Sequence, residues 1–180
     1  MTDHRGAAHK LIIASSALTM AEQAASSRTP RETGGILIGF RSDSDIYITD
    51  VVEVADDHST RCRFVLREGS REQALARYLD EAPPECPFGY VGSWHSHPAQ
   101  VGASGRDIRT LRREARTTHD LVAMMILMQA PDGAWQVDGA VGYRKRAIAH
   151  RAVWRRLEWR PLIVKADLIL RPAGQPTPPG

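Results

Sequence analysis

Apolar positions along this chain recur with two periods, one near four residues and one of two, and their succession predicts a layered α/β domain. From about His9 to Ser26 the chain is rich in Ala, Leu and Met, the composition of a helix, and the segment RTPRETGG ends it. Strand-like runs follow at Gly35–Phe40 and Ile46–Val54, with a short one at Arg63–Leu66. Ala74, Leu75 and Tyr78 fall at helical spacing within Arg71–Asp80, and Pro83, Pro84 and Pro87 then make a loop into a strand over Phe88–His97. Ser104-Gly105-Arg106-Asp107 has the form of a capping box and predicts a helix to about Arg116. Leu121–Met128 and Trp135–Tyr143 read as strands joined by the turn Ala-Pro-Asp-Gly, and Ala147–Trp159 reads as a basic amphipathic helix. The order α-β-β-β-α-β-α-β-β-α predicts a mixed β-sheet flanked by helices. One domain over residues 1–170 is expected, with the Pro/Gly-rich stretch 171–180 a disordered tail.

Composition narrows this picture. A chain of 180 residues with 42% hydrophobic content is large enough for one core. Its longest apolar run, Leu121–Met128, falls far short of the roughly 18 residues that span a bilayer. Met1–Gly6 is polar and carries both signs of charge, unlike a signal peptide, so a cytoplasmic protein is expected. Cys62 and Cys86 lie far apart and form no CxxC pair, so two reduced, partly buried thiols are expected. The net charge of +3 comes from 24 basic and 21 acidic residues, too small an excess to predict a nucleic-acid binder. Its concentration from Arg144 to Arg160 reads as the solvated face of the last helix.

Candidate chemistry begins at Trp94-His95-Ser96-His97-Pro98. Residues two apart on a strand share a face, so His95 and His97 can present both imidazoles to one point, as a pair of zinc ligands does. An HxH pair is as readily an ordinary surface feature, and alone it decides nothing. Asp107, in the first turn of the following helix, could complete three ligands and leave a fourth position for water. Equally, Asp107 could only close the capping box, and one carboxylate cannot easily serve both ends. Ser104 is either an N-cap or a hydroxyl that donates to a developing oxyanion, and both uses are compatible. Glu32 is the best candidate for a general base, at a strand mouth ahead of Gly34 and Gly35, whose pairing suggests close backbone approach.

Taken together, Glu32-Thr33-Gly34-Gly35-Ile36-Leu37-Ile38-Gly39, His95-Ser96-His97-Pro98 and Ser104-Gly105-Arg106-Asp107 resemble the JAB/MPN metalloprotease family and its JAMM motif. The resemblance extends roughly from His9 to Tyr143. It implies a cytidine-deaminase-like α/β/α sandwich with one catalytic Zn2+ per chain, held by His95, His97 and Asp107. It further implies Glu32 as base and proton shuttle and Ser104 as stabiliser of the tetrahedral intermediate. Substrates implied are amide or isopeptide bonds after the C-terminus of a ubiquitin-like or sulfur-carrier protein, with conjugates of phage-defence systems among them. One departure is a loop between His97 and Asp107 that is one residue shorter than the family's usual spacing. Two other readings are a non-catalytic interaction module of the same fold and a RadC-like protein associated with DNA.

Overall fold

The structure is a computed structural model, and it describes residues 9–67, 69–118, 120–151 and 154–172. Its elements run β1 (Lys10–Ala14), α1 (Ser15–Arg28), β2 (Gly34–Ser42), β3 (Asp45–Glu53), α2 (Ser70–Glu81), β4 (Gly89–His97), α3 (Gly105–Thr117), β5 (Val122–Gln129), β6 (Trp135–Arg151), β7 (Trp154–Lys165) and β8 (Asp167–Arg171). The strands form one mixed sheet in the order β7-β6-β5-β4-β2-β3-β1-β8. β4 and β5 pair in parallel, as do β1 and its neighbours β3 and β8, while the remaining pairs are antiparallel.

Alternation along the strands sends two sets of side chains to opposite faces. On one face Leu37, Trp94, Ala123, Met125 and Leu127 form the main core with Ala17, Ala21 and Ala25 of α1. That alanine stripe lets α1 approach the sheet closely. On the other face Leu111 and Ala115 of α3 meet Val122, Met124 and Ile126, while Ala74 of α2 meets Ile36 and Ile38. The expected α/β class, with helices on both sides of a mixed sheet, is therefore observed.

Three expected elements differ. The first helix begins at Ser15, because Leu11-Ile12-Ile13 is instead the buried centre of β1, paired on both sides. β-Branched residues between two strands gain more from sheet packing than from extending a helix. Arg63–Leu66 is no strand; only an isolated bridge, Thr60 to Arg63, forms there. The basic helix over Ala147–Trp159 is replaced by a long hairpin in which β6 and β7 pair from Ala140–Lys165 out to Arg151–Trp154. Cross-strand pairing overrides a helical period that local sequence supports only weakly; residues 152 and 153 lie outside the described residues. Of the expected tail, Arg171 ends β8, and 173–180 lie outside the described residues, as does the N-terminal stretch Met1–Gly6.

The turn Ala130–Gly133 forms as expected, with the Gly133 N–H donating to Ala130 O at 2.9 Å and Gly133 at positive φ. Both cysteines are free, although Cys62 is exposed rather than partly buried. Among the described residues no helix is long and apolar enough to cross a membrane.

Candidate functional site

The C-terminal end of β4 carries the first two site residues. Trp94 and Ser96 are buried, and the intervening alternation turns His95 and His97 to the face that α3 occupies. Ser96 fastens this strand end to the residue after Glu32: its Oγ accepts from the Thr33 N–H at 3.0 Å, and its own N–H donates to Thr33 O at 2.7 Å. The lead-in to β2 thus lies beside β4, with Gly34 opposite His95. A Cβ on Gly34 would run into the Trp94 carbonyl and come within 2.7 Å of Phe64 and 2.8 Å of the His95 Cβ. The paired glycines therefore serve close backbone approach.

α3 supplies the third residue. Ser104 is its N-cap, with Oγ accepting from the Asp107 N–H at 3.3 Å while Asp107 Oδ2 accepts from the Ser104 N–H at 2.7 Å. The other carboxylate oxygen, Oδ1, lies 3.4 Å from His95 Nε2. The two roles proposed for Asp107 thus do not exclude each other, because its two oxygens face different partners. The shorter loop from His97 still brings Asp107 to the histidines.

Around one point stand His95 Nε2 and His97 Nε2, 3.0 Å apart, with a carboxylate oxygen of Asp107, all three within 4.8 Å of one another. His97 Nδ1 lies 2.7 Å from the Val101 carbonyl. A carbonyl only accepts, so Nδ1 carries the proton and Nε2 keeps its lone pair. The neutral His95 imidazole can turn a lone pair on its Nε2 to the same point when a cation replaces its proton there, and nitrogen with oxygen donors is the set that suits zinc. The residues present fit a divalent metal. Val101, which orients His97, carries no motif signal, because it acts through its backbone. Ser96 left a signal of its own: a small polar residue two positions after Trp94, on the core-facing side of the strand.

Glu32 is buried, and its Oε1 lies 3.9 Å from His97 Nε2, beside the cluster. Its N–H donates to Thr60 O at 2.8 Å, and the Phe64 backbone lies on the carboxylate's side of the cavity, where it favours the charged form. Burial pushes its carboxyl above the ordinary range, against the pull of His97 and His95. At Asp107 burial also acts to raise the pKa, but hydrogen bonds from His95 and Ser104 outweigh it and hold the carboxyl well below the usual range. One carboxylate is thus kept ionised and the other made more basic, a division suited to a ligand and a proton carrier.

A cavity of about 270 Å³ opens onto these groups, lined by Glu32, His97, Ser104 and Asp107 together with the loop Arg61–Phe64. A larger groove of about 770 Å³, lined by Met20, Val52, Tyr78 and Phe88 among others, contains none of the five residues.

Known proteins agree with this fold. The solution structure of protein DSY2949 from Desulfitobacterium hafniense matches with a TM-score of 0.60 at 15% identity, over 90% of this chain and 93% of that one, a likeness of fold. No curated protein matches the chain. The family model described as prokaryotic homologs of the JAB domain matches residues 14–138, from the end of β1 into β6. Every residue of the cluster falls within that span, and the chain belongs to the family of prokaryotic homologues of the JAB domain.

Proposed function

We propose that the chain is a zinc-dependent peptidase or isopeptidase that hydrolyses the amide bond after the C-terminus of a ubiquitin-like or sulfur-carrier protein. The observation that carries this reading is the arrangement of three ligand atoms with a separate buried carboxylate, Glu32, beside them. A structural metal site uses four protein ligands, whereas three with a neighbouring base suit hydrolysis. His95, His97 and Asp107 would hold the ion, one per chain. A zinc ion there supplies Lewis acidity, polarising a carbonyl and lowering the pKa of a neighbouring water to about 7.

The chain's own residues do the rest. Glu32 takes a proton from the attacking water and delivers it to the nitrogen that leaves as the C–N bond breaks and the new C–O bond forms. Its position within the cavity beside the ligand cluster serves both transfers. Ser104 Oγ uses a lone pair to accept from the Asp107 N–H, and its hydroxyl can turn its proton from the Asp107 carboxylate to the developing oxyanion.

Metal content of the purified chain tests the ligand set, and turnover of ubiquitin-like fusions tests the chemistry. About one zinc per chain is expected in wild type and loss of it in His97→Ala, because removing one of three ligands leaves too few. Glu32→Gln is expected to keep the zinc and lose nearly all turnover. Zinc-free wild-type protein, even after reconstitution, would support the interaction-module reading instead.

A further inference from the structure

The cavity beside the cluster has cationic walls that the hydrolytic chemistry does not use. One wall is the turn Thr60–Arg63, closed by the Thr60 N–H donating to Arg63 O at 2.9 Å. It is fixed to the site, since Thr60 O accepts from the Glu32 N–H at 2.8 Å. Asp56 braces the same loop, accepting from the Val65 N–H at 3.2 Å and the His58 N–H at 3.1 Å. The turn places Arg61 and Arg63 along the cavity. Arg106 lines it from α3, between Ser104 and Asp107.

All three arginines are exposed, and among the described residues no carboxylate pairs with them. Arg67, a few residues along the same loop, does have a partner, with Nη2 3.6 Å from Asp56 Oδ1. A divalent cation at the cluster would balance Glu32 and Asp107 and leave the charge of the three arginines uncompensated. Guanidinium groups match carboxylates in planar geometry and can bind them through two parallel N–H···O bonds.

We propose that Arg61, Arg63 and Arg106 form an anion-recognising subsite, so that the peptide segments this cavity takes carry acidic side chains next to the scissile amide. This deepens the peptidase reading and rests on it for the position of the amide. Arginines on two sides would clasp an extended acidic segment and draw its backbone across the cavity. A segment bearing Lys or Arg at the same positions would be repelled. The loop that selects the substrate is the loop that holds Glu32, so binding and proton transfer share one support.

Calorimetric titration of the zinc-loaded full chain with the blocked peptide acetyl-Glu-Gly-Gly-Glu-amide and its Gln counterpart tests the assignment. The two peptides have the same shape and differ in charge alone. The Glu peptide is expected to bind about tenfold more tightly, a ratio in line with partly exposed charge-assisted contacts. In the triple variant Arg61→Gln, Arg63→Gln, Arg106→Gln, checked for folding by circular dichroism, the ratio is expected to fall to about one. It is also expected to shrink as salt rises from about 50 mM to about 500 mM. Equal affinity for the two peptides, no measurable binding of either, or a preference that survives in the triple variant would overturn the subsite. Stronger binding of inorganic phosphate than of the Glu peptide would overturn the carboxylate assignment. Zinc content and cleavage, measured on the same samples, keep the two readings apart. A chain that binds no zinc and cuts nothing, yet prefers the Glu peptide, loses the peptidase reading and keeps the subsite. A chain that binds zinc and cuts both peptides equally well has the opposite outcome.

Discussion

Ser96 stands between the two histidines yet faces away from them, and replacing it by alanine isolates its structural contribution. In the wild type its hydroxyl is the acceptor for the Thr33 N–H at 3.0 Å, and both residues are buried. The methyl group of alanine fits the same space but accepts nothing, so a buried donor is left without a partner. Such a loss costs about 2 kcal/mol, which lowers the Tm of a domain of this length by roughly 4–8 °C. The backbone bond from the Ser96 N–H to Thr33 O, 2.7 Å, does not depend on the side chain and keeps the strand end in register. The zinc content of Ser96→Ala is therefore expected to match wild type. Glu32 precedes Thr33, so turnover is expected to fall about tenfold through misplacement of the carboxylate. Thermal denaturation of metal-free protein, elemental analysis and turnover together read these effects. A Tm within about 1 °C of wild type would refute the claim that this hydroxyl fastens β4 to the Glu32 segment.

Gly34→Ala puts a Cβ against the Trp94 carbonyl, Phe64 and the His95 Cβ, so it is expected to destabilise by about 1–3 kcal/mol and to weaken zinc binding. Chemical denaturation with a competitive chelator titration measures both, and an unchanged chelator midpoint would count against the close approach. For Glu32 the folded-state pKa lies above the ordinary value, so ionising it in the folded chain is unfavourable. The metal-free wild type is then expected to match Glu32→Gln below about pH 4 and to fall behind it as pH rises through the elevated pKa. Parallel Tm curves across that range would contradict the burial argument. Asp56→Asn leaves Arg67 without its partner and weakens acceptance from Val65 and His58. Limited proteolysis is expected to cut the 56–67 loop faster in this variant, and unchanged cleavage would mean that other contacts hold the loop.

The spacing of residues by itself nominated the side chains that the structure brings together at the candidate site. Two histidines in alternation on a strand, and a serine and aspartate three apart at a helix start, are local patterns set by periods of two and near four, so they survive without knowledge of the fold. The α/β class and the helices at 70–81 and 105–117 follow from the same local rules. What depends on partners distant in the chain was decided by tertiary structure alone. Leu11-Ile12-Ile13 becomes a strand because β3 and β8 flank it, and Ala147–Arg151 becomes one because β7 pairs with it. The division of Asp107 between its cap and the histidines is set by where α3 docks on the sheet. The Val101 carbonyl behind His97 has no side-chain signature at all. The loop that brings Arg61 and Arg63 to the cavity has no strand or helix pattern of its own; hydrogen bonds to Glu32 and Asp56 give it its shape, and such bonds exist only once the chain has folded.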